Sequence, residues 1–127
     1  KIIAQSTKDL RLISAFCSES IVKLSEIKYL PKNKIFLVSI ERINKEDQNE
    51  KKINSIIKFE YVESSKSKNI NQNNINKVLE LLAIDFFKRD NNYEINLLFS
   101  GNAIITLDVE IIEVTLEDQT KNDNENI

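Results

Sequence analysis

Histidine, tryptophan and methionine are absent from the 127-residue chain, and glycine, proline and cysteine occur once each. Each absence removes a class of chemistry. Without histidine there is no imidazole general base, no serine–histidine dyad and no histidine-bound zinc. One cysteine, Cys17, makes neither an intramolecular disulfide nor a cysteine-rich zinc site. One glycine, Gly101, excludes the phosphate-binding loop, the dinucleotide fingerprint and the nucleophile elbow, which need several glycines at fixed spacing. What remains is chemistry by carboxylate, lysine, tyrosine, serine or threonine, or binding without chemistry.

Charge of one sign is also missing. Eighteen basic residues face 20 acidic ones, for a net charge of −2 and a pI of about 5.3. A general nucleic-acid binder is ordinarily basic, so this balance argues against that class. No apolar run approaches the ~18 residues of a membrane-spanning helix. The start, Lys1 to Ser6, is too short and too polar for a signal peptide. With one cysteine and no export signal, a cytoplasmic setting and no membrane contact are expected.

The length suits one domain. With 41% hydrophobic and 30% charged residues, the composition is that of a folded chain. A single globular domain over 1–118 is expected, followed by a flexible acidic tail over 119–127. Isoleucine, asparagine and lysine dominate, and their codons are rich in A and T. A low-GC genome accounts for that bias, so asparagine- or lysine-rich stretches weigh little as binding signals.

Ile2 to Gln5 reads as a short strand. Ser6 then opens a helix, with Asp9 three residues on in a capping box and Leu10, Ile13, Phe16 and Cys17 on one face. Cys17 reads as a small buried hydrophobe. From Ser20 the period is two, and one strand is expected to run to Pro31, which sets a turn. Ile35 to Ile43 returns as a hairpin partner with Phe36, Val38 and Ile40 inward. Residues 44–52 form a charge-balanced loop. Ile53 to Val62 is the next strand, with Ile53, Ile57, Phe59 and Tyr61 on one face. Residues 64–76 contain no acid and few apolar residues, and read as a long mobile loop.

Val78 to Phe87 is apolar on both parities. A helix fits its composition, but Phe86-Phe87 and the hairpin signal that follows favour a central strand buried on both faces. Tyr93, Ile95, Leu97 and Phe99 alternate, and Ser100-Gly101-Asn102 is a tight turn in which Gly101 takes a positive φ. After Ile105, Leu107 and Val109 the parity slips, which places a bulge or corner near Glu110 to Ile112. The expected fold is α+β: a mainly antiparallel sheet of about seven or eight strands, roll or barrel-like, with one N-terminal helix. Phe36, Phe59, Leu82, Leu97, Phe99 and Leu107 are expected in one core.

Leu30-Pro31-Lys32 with Phe36, Phe59 with Val62, Leu81-Leu82-Ala83-Ile84, Leu98-Phe99-Ser100-Gly101, Leu107-Asp108-Val109-Glu110 and Ile112-Glu113 are blocks with a likeness. Over about Asp9 to Asp118 the chain resembles the bacterial family called domain of unknown function 2948. The resemblance implies a single compact cytoplasmic domain and supplies no activity.

Three groups of polar residues are candidates for function. Asp108, Glu110 and Glu113 could share a strand face and hold a hard cation or act as an acid–base pair. The solvated face of an antiparallel strand explains them as well. Lys58, Lys66, Lys68 and Lys77, with Tyr61 nearby for stacking, could form a basic rim for RNA or another anion. Arg42 suits a bidentate ion pair with a carboxylate, with anion binding as the other use. Pro31, Phe36, Phe59, Phe99 and Gly101 are read as structural.

The expectation is a small non-enzymatic binding or accessory protein acting through protein–protein contacts, including self-association through a sheet edge. No catalytic residue, metal or cofactor is expected. The alternative is an RNA- or anion-binding module using residues 58–77, with Arg42, Lys58, Lys66 and Lys68 as contacts. An enzyme built on the carboxylates near 108–113 is the third reading.

Overall fold

Strand β1 (Ile2–Ala4) leads into helix α1 (Thr7–Cys17). The computed structural model describes residues 1–44, 48, 49 and 51–119. After the helix come β2 (Ser20–Lys23), a 3-10 turn (Leu24–Glu26), β3 (Ile27–Leu30) and β4 (Ile35–Ile43). Then follow β5 (Lys52–Phe59), β6 (Val62–Lys68) and β7 (Val78–Arg89). The last elements are β8 (Asn92–Phe99), β9 (Ile104–Val109) and β10 (Val114–Asp118). The described strands form one ten-stranded antiparallel sheet in the order β1-β10-β5-β4-β2-β7-β8-β9-β6, with β3 beside β4. The expected class is right and the strand count was too low. The path does not close, so the sheet is an open roll and not a barrel. No described helix is long and apolar enough to cross a membrane.

Helix α1 starts where Ser6 Oγ accepts the Asp9 N–H at 3.2 Å. The return half of the box is displaced by one residue, because Asp9 Oδ2 accepts from the Gln5 N–H at 3.5 Å. Leu10, Ile13 and Cys17 are buried against the sheet, and Phe16 packs at the margin. Pairing of β2 with β7 stops at Leu81. There α1 takes over the flank of β7, with Ser14 Oγ accepting the Ile84 N–H at 2.9 Å. A strand edge is thereby covered.

The core is a single cluster. Phe36, Val38 and Ile40 of β4 meet Ile57 and Phe59 of β5, Ile95, Leu97 and Phe99 of β8, and Ile105, Leu107 and Val109 of β9. Phe36 and Phe59 meet edge to face at 6.2 Å. Five of the six expected core residues are there. Leu82 is not, at 46% exposure. Strand β7 is a central strand as expected, but it is not buried on both faces. A register shift between Leu81 and Ala83 moves its inward parity from Leu79 and Leu81 to Ile84, and Leu82 falls outside.

Local backbone reversals account for the other departures. The 3-10 turn splits the expected strand over 20–30 into β2 and β3, moving the inward set from Val22 to Ile27 and Tyr29. Tyr61 adopts φ 59°, ends β5 and turns Val62 inward in its own place; its side chain is 41% exposed. The expected mobile loop begins too early, because Val62–Lys68 is a strand paired with β9. The parity slip near Glu110 is a corner that carries the chain from β9 to β10 on a different flank of the sheet. Of the expected loop over 44–52, residues 45–47 and 50 lie outside the described residues. So does the expected tail from residue 120 onward, whereas the Gln119 N–H donates to Asn54 O at 2.7 Å.

Candidate functional site

Among the described residues, strand β3 pairs with β4 alone, and β6 pairs with β9 alone. Each therefore keeps one edge without a partner strand. Both border a cleft of about 490 Å³, the gap at which the roll stays open. Phe36 and Ile105 reach it from the core, Ile27 and Tyr29 from β3, and Ser65 and Ser67 from β6. Its size falls in the ordinary range for ligand sites. The far rim is the segment 69–77, which supplies Ile70, Gln72 and Ile75.

That rim is tied down by turn chemistry. Asn71 Oδ1 accepts the Asn73 N–H at 3.0 Å, and Asn71 O accepts the Asn74 N–H at 3.1 Å. The Ser25 and Leu24 N–H groups donate to Ile75 O and Lys77 O at 3.0 and 2.9 Å. Gln72 Nε2 reaches back to Ser67 Oγ at 3.3 Å. At the other end of the cleft the Tyr29 hydroxyl donates to Val62 O at 3.2 Å, and the Val62 N–H donates to Lys34 O at 2.9 Å. The cleft is thus a slot of mixed lining, with Ile27, Tyr29, Ile70 and Ile75 as its apolar wall and Ser25, Ser65, Ser67 and Gln72 as its polar one. Sequence patterning did not single it out. Ile70 and Ile75, the two apolar residues of a polar stretch, are its available signal.

Of the lysines proposed as an anion site, Lys66 and Lys68 share one face of β6, and Lys58 stands apart from them. Lys58 stands on β5, with Glu60 at 4.0 Å. Lys66 and Lys68 lie on β6 and point to the face opposite Ser65 and Ser67. Among the described residues none of Lys66, Lys68 and Lys77 has an ion pair. Arg42 is 8% exposed and committed inside the fold. Its Nη2 lies 2.9 Å from both oxygens of Asp118, its Nε donates to Ser55 Oγ at 3.1 Å, and its guanidinium lies over Phe16 at 5.8 Å. Burial works against the Asp118 carboxylate, but the Ser55 hydroxyl and the Arg42 guanidinium outweigh it and hold its pKa below the usual range.

The three carboxylates near 108–113 diverge. Asp108 accepts from Asn92 Nδ2 at 3.1 Å, Glu110 pairs with Lys34 at 3.1 Å, and Glu113 accepts from Gln5 Nε2 at 3.3 Å. Lys34 also reaches Glu63 at 2.9 Å, so the β3–β4 turn is pinned to two corners of the chain. Hydrogen bonding with Glu63 and with Lys34 holds Glu110 below the usual carboxylate range. Among the described residues no three metal-ligating side chains come together.

An open antiparallel roll with one covering helix and a cleft between two strand edges is a fold of the α+β class. The chain belongs to the family described as protein of unknown function (DUF2948), whose model matches residues 1–126. No curated protein and no solved structure matches it.

Proposed function

We propose that this chain is a non-enzymatic binding module that takes an extended segment of a protein partner along the free edge of β6, with side chains in the adjoining cleft. The observation that carries the reading is the shared border: among the described residues, two strand edges without partners flank one slot of about 490 Å³. An exposed edge offers a row of backbone donors and acceptors, and strand addition supplies their partners. The slot beside it gives the added strand a place for alternate side chains. A cytoplasmic setting belongs to the same reading, since the single Cys17 is buried and needs no disulfide partner.

The alternative, RNA or anion binding over 58–77, has less support. Lys58 is separated from Lys66 and Lys68 by the corner at Tyr61. The face that carries Lys66 also carries Asp85, Asn96 and Thr106 in one cross-strand row, and Glu94 and Asp108 in the next. A polyanion would meet those carboxylates. An enzyme has less support still, because the carboxylates diverge.

Selection of a random-peptide display library tests the proposal, with Ser67→Trp as a variant whose cleft is filled. The expected binders lose affinity for the variant and slow amide exchange over residues 63–68 of the unmodified protein. Binders indifferent to the filled cleft, or no binders at all, would overturn it.

A further inference from the structure

Resting on that strand-addition reading, we infer that the segment recognised alternates apolar and acidic residues. The argument is the pleat of β6. Ser65 and Ser67 line the cleft, whereas Lys66 and Lys68 project from the opposite face. A strand laid along this edge shares the pleat, so its side chains divide into two sets with a period of two. One set enters the slot, whose accessible apolar surface comes from Ile27, Tyr29, Ile70 and Ile75. That environment favours apolar side chains and penalises charged ones. The other set lies beside Lys66 and Lys68.

The second environment is cationic only next to the vacant edge; the carboxylates of the same face, Asp108, Glu94 and Asp85, stand on β9, β8 and β7, on the far side of β6. Residues 64–77 contain no acid, and among the described residues neither Lys66 nor Lys68 has a carboxylate within ion-pair distance. Opposite charges placed directly across two strands attract, and like charges repel. The strand already paired with β6 shares its pleat but leaves the lysines without an acidic neighbour: in β9, Ile105, Leu107 and Val109 point inward, while Ile104 and Thr106 lie opposite Lys68 and Lys66, and Asp108 opposite Ser64. The vacant edge presents the same alternation to whatever fills it. A second copy of this chain does not meet the requirement. Two antiparallel β6 edges with both clefts on one side set lysines against lysines.

Three synthetic decapeptides test the inference by fluorescence anisotropy. One alternates valine or isoleucine with glutamate. The second replaces each glutamate with lysine. The third has the first peptide's composition in two blocks, apolar then acidic. The alternating acidic peptide is expected to bind about tenfold tighter than either other. Methylating its backbone nitrogens should abolish binding, because strand pairing needs those donors. Lys66→Glu with Lys68→Glu should reverse the preference toward the lysine peptide; both sites are exposed, and an unchanged thermal melt confirms the fold. Equal binding of the acidic and lysine peptides, with amides 63–68 still protected, would overturn the charge pattern and leave strand addition standing. No binding by any peptide, with no change in exchange, would overturn both, and is the result for an edge that Lys66 and Lys68 merely guard. An oligouridylate that displaces the peptide and binds more tightly would overturn the peptide chemistry in favour of RNA.

Discussion

Arg42 on β4 and Asp118 on β10 hold each other across the intervening strand β5, with Arg42 Nη2 2.9 Å from both carboxylate oxygens. Ser55 on β5 completes the contact by donating to Asp118 Oδ1 at 2.6 Å. These residues lie on the core-facing parity of their strands, where Ile40, Ile57 and Leu116 stand one step further in. The ion pair is therefore the polar end of the core.

Asp118→Asn should cost about 2 kcal/mol in urea denaturation. Breaking a fully buried pair costs more, about 3–5 kcal/mol, but the Asp118 side chain is 41% exposed. Arg42→Lys should cost about 1–2 kcal/mol, because an ammonium cannot reproduce the two-pronged contact. The sign of the pH dependence follows from the lowered Asp118 pKa. The folded pKa lies below the unfolded value of about 3.9, so the contribution is complete above that value. It disappears as pH falls through the folded pKa. The difference between wild type and Asp118→Asn should be constant from pH 5 to 7 and shrink in stronger acid.

Phe99→Ala and Leu82→Ala form a second test. Phe99 is 2% exposed in the centre of the core, and its truncation should cost about 3–5 kcal/mol. Leu82 is 46% exposed at the β7 bulge, and its truncation should cost about 1 kcal/mol or less. Comparable losses at the two positions would contradict the parity change in β7.

That contrast shows which parts of the fold are legible in a sequence. Where a strand has one buried face, alternation reports it directly: Phe36, Val38 and Ile40, or Ile95, Leu97 and Phe99. Parity changes are harder, because one residue at positive φ or one bulge flips everything after it. Tyr61 and Leu82 are ordinary residues at such points, and neither glycine nor proline marks them. Strand β6 is harder still. Its inner residues Ser65 and Ser67 line a cleft and not the core, so no apolar pattern is required of them. The candidate site was hidden for that reason. The ion-pair reading of Arg42 was accessible, since one of only three arginines among 15 lysines suggests a need for the guanidinium fork.

Gly101 has φ +72°, and a Cβ placed there would meet nothing within 4 Å. Its requirement is conformational and not steric. Gly101→Ala should therefore cost only the left-handed backbone penalty, about 1–2 kcal/mol. Gly101→Asn should cost less, since the neighbouring Asn102 already adopts φ 61°. Thermal melts of the two variants separate conformational strain from packing: a packing requirement would make asparagine, the larger side chain, the worse of the two.

Glu60 and Glu113 are held together by the backbone, the Glu60 N–H donating to Glu113 O at 3.0 Å. Burial and the Glu113 carboxyl raise the Glu60 pKa, against the pull of Lys58 at 4.0 Å. A carboxyl whose folded pKa exceeds its unfolded value is most favourable to the fold when protonated. That advantage is full below the unfolded pKa and is lost as pH rises through the folded one. At neutral pH, ionised Glu60 therefore opposes the fold. Glu60→Gln should melt about 2 °C higher than wild type at pH 7, the shift expected for a few tenths of a kcal/mol in a domain of this size. At pH 4 the two proteins should melt together. Glu113→Gln should give a smaller gain at pH 7 than Glu60→Gln, because burial, the larger cause of the Glu60 shift, stays in place. A lower melting temperature for Glu60→Gln at pH 7 would show that the Lys58 contact outweighs the repulsion, and would reverse the sign assigned to this corner.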